Sequence, residues 1–324
     1  MKRCIILANF GGPRNLDEVE EFLKALLTDQ DVVRTNLPQF LHTLFFNRIA
    51  KKRALKVRLD YESIGGKSPI YSDTEAIAEQ LKSKLKETIF TFHRYLPKTH
   101  SSFIQKLKNE AFDRYLIFPL FPQFTYATTG SIAKWFANHL ETSLVNKIRW
   151  IKSYPSHPLF IKAHINAILD FLLKHSLKEE ETYLLFSAHG LPQKFVLEAD
   201  PYEDECYASY NSVMSYFPKA KGLLSFQSKF GKDEWLRPYT SDVCTDIANL
   251  AKGKKNVVVI PISFTSDHIE TLFEVEQEYL PPIKKQGLNA YRVPALTLRE
   301  DWIHAIINII EDKNLCNNQM LVRK

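Results

Sequence analysis

Runs of apolar, often β-branched residues recur along the chain and predict buried strands. The clearest is Asn256–Phe264, where apolar residues barely alternate with polar ones, as expected of a strand covered on both faces. Segments with helical spacing separate this run from its shorter counterparts, which are Cys4–Ala8, Ile89–His93, Tyr115–Pro119, Ile148–Ser153, Tyr183–Ser187, Leu223–Gln227 and Ala290–Val293. The rhythm of roughly four strands per half predicts an α/β fold of two similar lobes, each a doubly wound parallel sheet of four strands.

Two prolines mark the best boundary between the lobes. Pro155 and Pro158 punctuate the stretch Tyr154–Pro158, which separates the two series of strands. We therefore expect a first lobe over residues 1–154 and a second over 155–297. The C-terminal helix, at about 298–314, is expected to join the first lobe.

Helical spacing predicts the segments between these strands. The longest predicted helix is an amphipathic one over 37–61. The others are 17–27, 75–86, 103–111, 131–139, 159–174, 203–216, 240–252, 268–279 and 301–311.

Composition narrows the class of protein. The 324 residues are 45% hydrophobic and 25% charged with a formal net charge of +6, which is ordinary for a globular protein and shows no long basic run that would demand nucleic acid. No apolar stretch approaches the length of a membrane span or a signal peptide. The four cysteines stand without CxxC pairs, so neither a disulfide framework nor a zinc ribbon is indicated. We expect a cytoplasmic protein, at most peripheral to a membrane.

A row of carboxylates follows the clearest strand. Glu270, Glu274 and Glu278 recur every fourth residue in the helical segment 268–279, which has no lysine or arginine to relieve their repulsion. The residues expected on its apolar side are Ile269, Leu272, Phe273 and Tyr279. A solvated acidic face is the simplest interpretation. The alternative is a cation site, because open α/β sheets bind ligands at the carboxyl ends of their strands.

Two further stretches also come directly after strands. His189 ends the run in LLFSAHGLP, where Gly190 and Pro192 stop the strand, so its imidazole is expected at the same edge as Glu270. Such a histidine is often structural, but with carboxylates it forms an N/O set that holds Fe(II) weakly or takes up a proton. Trp235, in the polar stretch Phe226–Thr240, is expected either to fold back on the core or to cover a planar ligand.

An apolar segment with a basic rim lies in the first half. The segment 37–58 combines the cations Arg48, Lys51, Lys52, Arg53, Lys56 and Arg58 with a bulky apolar group, which is Leu37, Phe40, Leu41, Leu44, Phe45, Phe46 and Ile49. This segment is either an amphipathic helix packed on the core or a lip for a greasy, acidic ligand or for anionic lipid.

Several motifs together resemble the ferrochelatase family of haem synthesis. They are LLFSAHGLP with DPY at 200–202, QSKFGKDEWLRPYT and FTSDHIETLFEVEQEY, supported by NFGGP, IGGKSPI and FPQFTYATTGS in the family's order. The resemblance covers about residues 3–311. It implies a chelatase-like fold with a porphyrin cleft between two lobes, and insertion of Fe(II) into protoporphyrin IX to give protohaem with release of two protons.

The resemblance also implies roles for individual residues. His189 and Glu270 match the catalytic pair, and His189, Glu270, Glu274 and Glu278 match the positions expected to handle the metal. Matches to the family's porphyrin-binding positions are Phe10, Lys52, Arg53, Tyr61, Ser68, Arg94, Tyr95 and Trp235. A lysine replaces one of the usual arginine pair at 52–53, and Ala199 replaces a glycine of the histidine motif.

The resemblance implies Fe(II) as substrate and no tightly bound cofactor. Only Cys316 remains where animal members carry a cysteine-rich tail, and Tyr126 occupies the matching internal position, so we expect no [2Fe–2S] cluster. We expect a monomer that binds protoporphyrin IX, contacts no nucleic acid, and touches a membrane, if at all, through 37–58. Three alternatives stay open: a coproporphyrin III ferrochelatase, a cobalt chelatase, and a non-catalytic tetrapyrrole or metal carrier.

Overall fold

The computed structural model describes residues 2–312 and 314–323. The chain forms two compact units, one made of the residues up to Ser153 together with those from Ile306 onward, and the other of Tyr154–Ala305. The division at residue 153 lies beside the punctuating prolines. The second division falls inside the last long helix, whereas the sequence assigned all of 298–314 to the first lobe. Lys313, within that predicted segment, lies outside the described residues.

Two sheets contain the strands of the described residues. The strands are β1 (Arg3–Asn9), β2 (Thr88–His93), β3 (Arg114–Pro119), β4 (Ile148–Ile151), β5 (Thr182–His189), β6 (Lys221–Gln227), β7 (Asn256–Pro261), β8 (Asn289–Arg292) and β9 (Leu315–Cys316). In the first unit the order is β2-β1-β3-β4-β9, and in the second it is β6-β5-β7-β8. All neighbouring pairs are parallel except β4 and β9. The predicted α/β class with two parallel sheets is confirmed.

Helices separate these strands. They are α1 (Val19–Leu27), α2 (Gln39–Ser63), α3 (Ile70–Leu85), α4 (His100–Asn109), α5 (Ser131–His139), α6 (Thr142–Val145), α7 (Pro158–Lys174), α8 (Gln193–Leu197), α9 (Tyr202–Met214), α10 (Thr240–Thr245), α11 (Ile247–Leu250), α12 (Leu280–Lys285) and α13 (Glu300–Ile310). Two π-helices, Tyr126–Gly130 and Glu270–Tyr279, and the 3₁₀ turns Leu16–Glu18, Pro97–Thr99, Glu179–Glu181 and Asn318–Leu321 complete the elements.

Burial explains why the strands lack alternation. Every residue of Asn256–Pro261 in β7 is buried, and so are the inner residues of β1 and β5. Strands covered on both faces gain about 25 cal/mol for each Å² of apolar surface removed from water, so both sets of side chains favour apolar residues. The sheet cores thus position the carboxyl ends of the strands firmly.

Three details differ from the sequence-based expectations. The first sheet gains a short fifth strand, β9, which pairs antiparallel with β4 and covers its edge. The predicted helix 240–252 is two short helices, because Asp246 leaves the helical conformation (φ −111°, ψ 17°) and accepts a hydrogen bond from Asn249. Helix α3 begins at Ile70 rather than at Glu75, directly after Pro69.

Among the described residues, no helix combines the length and hydropathy needed to cross a bilayer.

Candidate active site

Three neighbouring strand ends in the second unit bring the chemically active side chains together. His189 is the last residue of β5, and in the sheet register it lies beside Gln227, the last residue of β6. On the other side of β5, Ser187 is in register with Pro261, the last residue of β7. Because parallel strands end at one edge, this edge is where an open α/β sheet binds ligands.

His189 and Glu270 form a direct contact at this edge. Nδ1 of His189 lies 2.8 Å from Oε2 of Glu270. The two side chains are 36% and 25% exposed, so the pair is partly shielded yet reachable from solvent. Nε2 of His268 lies 3.6 Å from the same carboxylate oxygen. The sequence prediction that His189 and Glu270 reach the same surface agrees with this geometry.

The backbone of His189 is fixed by two side chains that sequence reasoning did not single out. Its amide donates to Oγ of Ser263 at 3.0 Å, and its carbonyl accepts from the hydroxyl of Tyr202 at 2.9 Å. Tyr202 belongs to the DPY motif, and that motif was the only feature of the sequence that pointed to it. Ser263 lies just beyond β7 and carried no signal of its own. Together they leave the imidazole of His189 oriented towards Glu270.

Ser228 binds the second carboxylate. Its amide donates to Oε1 of Glu274 at 2.8 Å, and its hydroxyl donates to Oε2 at 2.5 Å. The hydroxyl of Tyr279 also donates to Glu274. Ser228 has φ +65°, a left-handed conformation that costs a non-glycine residue about 1–3 kcal/mol. Sequence reasoning missed Ser228, although it lies in the QSKFG motif directly after β6.

The charges of this cluster shift its pKa values. Burial lowers the pKa of His189, but the charge of Glu270 and the hydrogen bond to it raise that pKa more, so the net pKa is raised. Burial raises the pKa of Glu270, yet His189 and His268 outweigh it and hold that pKa well below its usual range. Burial and the charge of Glu270 both raise the pKa of Glu274. One carboxylate therefore stays ionised while the other takes a proton more readily.

The acidic segment is a π-helix rather than an α-helix. Its i→i+5 hydrogen bonds widen the turn, so the buried residues of Glu270–Tyr279 are Thr271, Val275 and Tyr279. Of the residues expected on the apolar side, Tyr279 is buried, whereas Ile269, Leu272 and Phe273 are half-buried. Glu278 is exposed, and no described contact joins it to Glu270 or Glu274.

Trp235 folds back beside His189. It is 7% exposed, and its ring centroid lies 6.4 Å from that of His189. A Cβ on Gly190 would approach the Trp235 ring to 3.1 Å and the Gln227 carbonyl to 2.7 Å, which explains why a glycine follows the histidine. Trp235 is thus packed on the protein, beside His189.

In the first unit, the loop after β1 organises another set of sequence-predicted residues. The carbonyl of Phe10 accepts from the amide of Tyr95 at 2.9 Å, and their rings meet edge to face at 4.5 Å. The carbonyl of Pro13 accepts from the amide of Ser68 at 2.8 Å. A Cβ on Gly12 would come within 2.5 Å of Ser68, so this close approach requires glycine. Phe10, Ser68 and Tyr95 are thus held by one loop.

Arg94 and Tyr95 are bound within the unit. Nη2 of Arg94 lies 2.7 Å from Oδ2 of Asp29, and the hydroxyl of Tyr95 lies 2.9 Å from the same oxygen. Ser131 also donates to that oxygen. Neither Asp29 nor Ser131 was predicted as a site residue.

The remaining predicted residues of the first unit differ in exposure. Lys52 and Arg53 are exposed on α2, whereas Tyr61, near the end of the same helix, is 2% exposed. Ser68 is also 2% exposed, and its hydroxyl has no hydrogen-bond partner among the residues that the structure describes. A buried hydroxyl without a partner is costly, so it marks a position where a polar ligand atom would be favoured.

The cluster at this edge offers a nitrogen of His189 and carboxylate oxygens as candidate metal ligands. In the described parts of the chain, no three histidine, cysteine, aspartate or glutamate side chains converge as a preformed metal cluster. His189 touches Glu270, while Glu274 is connected to Glu270 through the Ser228 hydroxyl, which lies 3.4 Å from Glu270 and 2.5 Å from Glu274. A nitrogen and oxygens without thiolate exchange ions such as Fe(II) readily.

Comparison with known proteins identifies the family. The family model described as ferrochelatase matches residues 2–314. Ferrochelatases from Chlamydia abortus and Chlamydia caviae are each 45% identical over 323 residues, with 100% of both chains covered. One from Chlamydia pneumoniae is 40% identical and covers 98% of this chain and 95% of its own.

Solved structures of chelatases show the same fold at low identity. SirB from Bacillus subtilis with Fe³⁺ has a TM-score of 0.54 at 13% identity, covering 96% of this chain and 94% of its own. CbiX, described as the terminal enzyme for biosynthesis of sirohaem in denitrifying bacteria, has a TM-score of 0.52 at 14% identity, covering 96% and 98%. With the family model and the full-length relatives, the conclusion is that this chain belongs to the ferrochelatase family of metal-chelating enzymes.

Proposed function

We propose that this ferrochelatase inserts Fe(II) into protoporphyrin IX, giving protohaem and releasing two protons. The observation that carries the proposal is the contact between Nδ1 of His189 and Oε2 of Glu270 at the carboxyl edge of the second sheet. Metallation requires the pyrrole protons to leave, and an imidazole held by a carboxylate is a suitable acceptor. His189 and Glu270 are the proposed catalytic residues.

The incoming metal is proposed to pass along the acidic π-helix. Glu274 and the exposed Glu278 continue the row from Glu270, and His189 supplies the nitrogen ligand at its end. Oxygen ligands that exchange readily remove water from Fe(II) without trapping it. In this proposal His189, Glu270, Glu274 and Glu278 each contact the metal at some stage of its transfer.

The porphyrin is proposed to bind to the residues named by the family resemblance. Exposed cations at Lys52 and Arg53 suit propionate carboxylates. The hydroxyl of Ser68, which makes no hydrogen bond within the described residues, would supply a further polar contact. Aromatic surface for the macrocycle would come from Phe10 and Trp235. The other proposed porphyrin contacts are Tyr61, Arg94 and Tyr95.

We further propose a cytoplasmic monomer without a resident cofactor or [2Fe–2S] cluster. Membrane contact is proposed for α2, where Phe40 is 71% exposed, and Leu44 and Phe45 are both more than half exposed. Lysines and arginines follow on the same helix, so apolar insertion and attraction to anionic headgroups would act together.

An anaerobic absorbance assay tests the substrate assignment. Purified protein is mixed with Fe(II) and either protoporphyrin IX or coproporphyrin III, and a parallel reaction contains Co(II). Catalytic conversion of the free-base bands of protoporphyrin IX, faster than that of coproporphyrin III and faster with Fe(II) than with Co(II), is the expected result. Faster conversion of coproporphyrin III would change the proposed porphyrin substrate, and faster reaction with Co(II) would change the proposed metal. Stoichiometric porphyrin binding without turnover would indicate a carrier.

A further inference from the structure

We infer that Asp29 is a positioning residue for porphyrin binding, acting through Arg94 and Tyr95. The inference rests on the proposed porphyrin-binding role of those two residues. Asp29 itself lies in the turn after α1, where no motif or periodicity singled it out.

One carboxylate oxygen of Asp29 accepts hydrogen bonds from three donors on two segments of the first unit. Its Oδ2 accepts from Nη2 of Arg94 at 2.7 Å, from the hydroxyl of Tyr95 at 2.9 Å and from Oγ of Ser131 at 2.5 Å. Its Oδ1 accepts from the amide of Asp31 at 2.9 Å, which fixes the turn. The Asp29 side chain is 6% exposed and that of Arg94 is 17% exposed. Charged hydrogen bonds in so shielded a place are strong, so they determine side-chain orientation.

This arrangement restricts how Arg94 can bind a ligand. Nε donates to Ser131 at 2.9 Å and Nη2 donates to Asp29, so only Nη1 makes no hydrogen bond within the described chain. The carboxylate also compensates the charge of Arg94. Arg94 therefore acts as a directed hydrogen-bond donor whose charge is already compensated. Long-range attraction of an anionic ligand would come from exposed cations such as Lys52.

Asp29 also acts on the aromatic side of the loop. The Tyr95 ring, whose hydroxyl Asp29 binds, contacts the Phe10 ring edge to face at 4.5 Å. Loss of the carboxylate would leave two buried hydroxyls and a guanidinium to rearrange, and the Phe10 ring would move with Tyr95. Both effects weaken porphyrin binding more than they slow the chemical step.

A mutant cycle separates positioning from general stability. Asp29→Asn keeps the side-chain shape and removes the charge. We expect the KM for protoporphyrin IX to rise about tenfold while kcat changes by less than about twofold. In a background carrying Arg94→Gln and Tyr95→Phe, the same substitution should change KM by less than about twofold, because its targets are gone. Equal, additive losses in both backgrounds, or a fall in kcat alone, would overturn the inference.

Asp31→Asn is the matched control. Asp31 is buried in the same turn, but its carboxylate pairs with Lys134, at 3.0 Å, and not with Arg94 or Tyr95. Its substitution should leave KM unchanged. If Asp29→Asn fails to fold, Ser131→Ala removes one donor of the cluster and should raise KM about threefold by the same route; an unchanged KM in that variant would count against the inference.

Direct porphyrin binding, followed by fluorescence quenching, keeps the two proposals distinct. A wild-type protein that binds protoporphyrin IX without metallating it would contradict the proposed reaction. The mutant cycle would still test Asp29 through binding affinity. If the wild type metallates protoporphyrin IX and Asp29→Asn binds it with unaltered affinity, only the positioning role of Asp29 is contradicted.

Discussion

Two helices each carry several like charges, but the burial and the contacts of those charges differ. On the π-helix, Glu270 and Glu274 are partly buried and held by His189, Ser228 and Tyr279. On α2, the cations of residues 48–58 are exposed, and Nη2 of Arg58 lies 3.4 Å from a carboxylate oxygen of the exposed Asp17. Charges held in fixed geometry govern chemistry at one point, whereas exposed charges act through screened attraction.

The sharpest test of the charge cluster on the π-helix is removal of the His189 imidazole. His189→Ala should lower kcat by about 10³-fold, since general bases typically contribute 10²–10⁴-fold. Circular dichroism and thermal melting should remain near those of the wild type, because the ring is at the sheet edge and not in the core. His175→Ala, an exposed histidine after α7, is the control and should keep full activity. Near-normal turnover in a folded His189→Ala protein would show that the held pair is not the base.

The partner carboxylate should set the pH dependence. Glu270 raises the pKa of His189, so His189 stays protonated to higher pH and the acid limb of kcat/KM lies above the ordinary histidine pKa of about 6.5. In Glu270→Gln the charge that raises the pKa of His189 is gone, whereas burial still lowers that pKa. The acid limb of kcat/KM should therefore move to lower pH, and the maximal rate should fall. A limb that stays in place would mean that another group titrates.

The same pair has a stability signature of definite sign. A raised His189 pKa contributes stability that is complete below about pH 6.5 and is lost as pH rises through the folded-state pKa. A lowered Glu270 pKa contributes stability that is complete above about pH 4.3 and is lost in acid. The difference in unfolding free energy between wild type and Glu270→Gln should therefore be largest between those two pH values.

Neutralising exposed cations should have a smaller effect that depends on salt. Lys51, Lys52 and Arg53 changed together to glutamine should raise the KM for protoporphyrin IX about three- to tenfold at low ionic strength, and less at 0.5 M salt, because exposed charges are screened. The dimethyl ester, which lacks the carboxylates, should be nearly unaffected. Lys284→Gln with Lys285→Gln, on α12, is the control for lost surface charge. Equal losses for acid and ester would contradict a propionate rim.

Much of the sheet framework could be predicted because burial on both faces leaves a strong local pattern. The strands β5 and β7 appear in the sequence as apolar runs, and their parallel pairing brings His189, the last residue of β5, close to the segment after β7 that carries Glu270. The π-helix could not be predicted in the same way. Its widened turn depends on packing around Thr271 and Val275, which α-helical periodicity does not describe.

The residues that support the site were the hardest to predict. Asp29 binds partners 65 and 102 positions away in sequence, Arg94 and Ser131, so no local pattern marks it. Ser228 binds Glu274 from a left-handed backbone conformation that serines rarely adopt. Such side chains act through tertiary contacts, which appear only once the sheets have assembled them.

The smallest expected effect compares Ser228 with Ala199, two non-glycine residues in the left-handed conformation. Ser228 binds Glu274 from this conformation, whereas Ala199, with φ +64°, has only a methyl side chain at a position where the motif resemblance implies glycine. Ala199→Gly should therefore raise the free energy of unfolding by about 0.5–1 kcal/mol, since relief of strain exceeds the added entropy of the unfolded chain. Ala208→Gly, inside α9, should lower it by a similar amount. Denaturant titration would measure both changes, and a destabilised Ala199→Gly would mean that the loop accommodates alanine without strain.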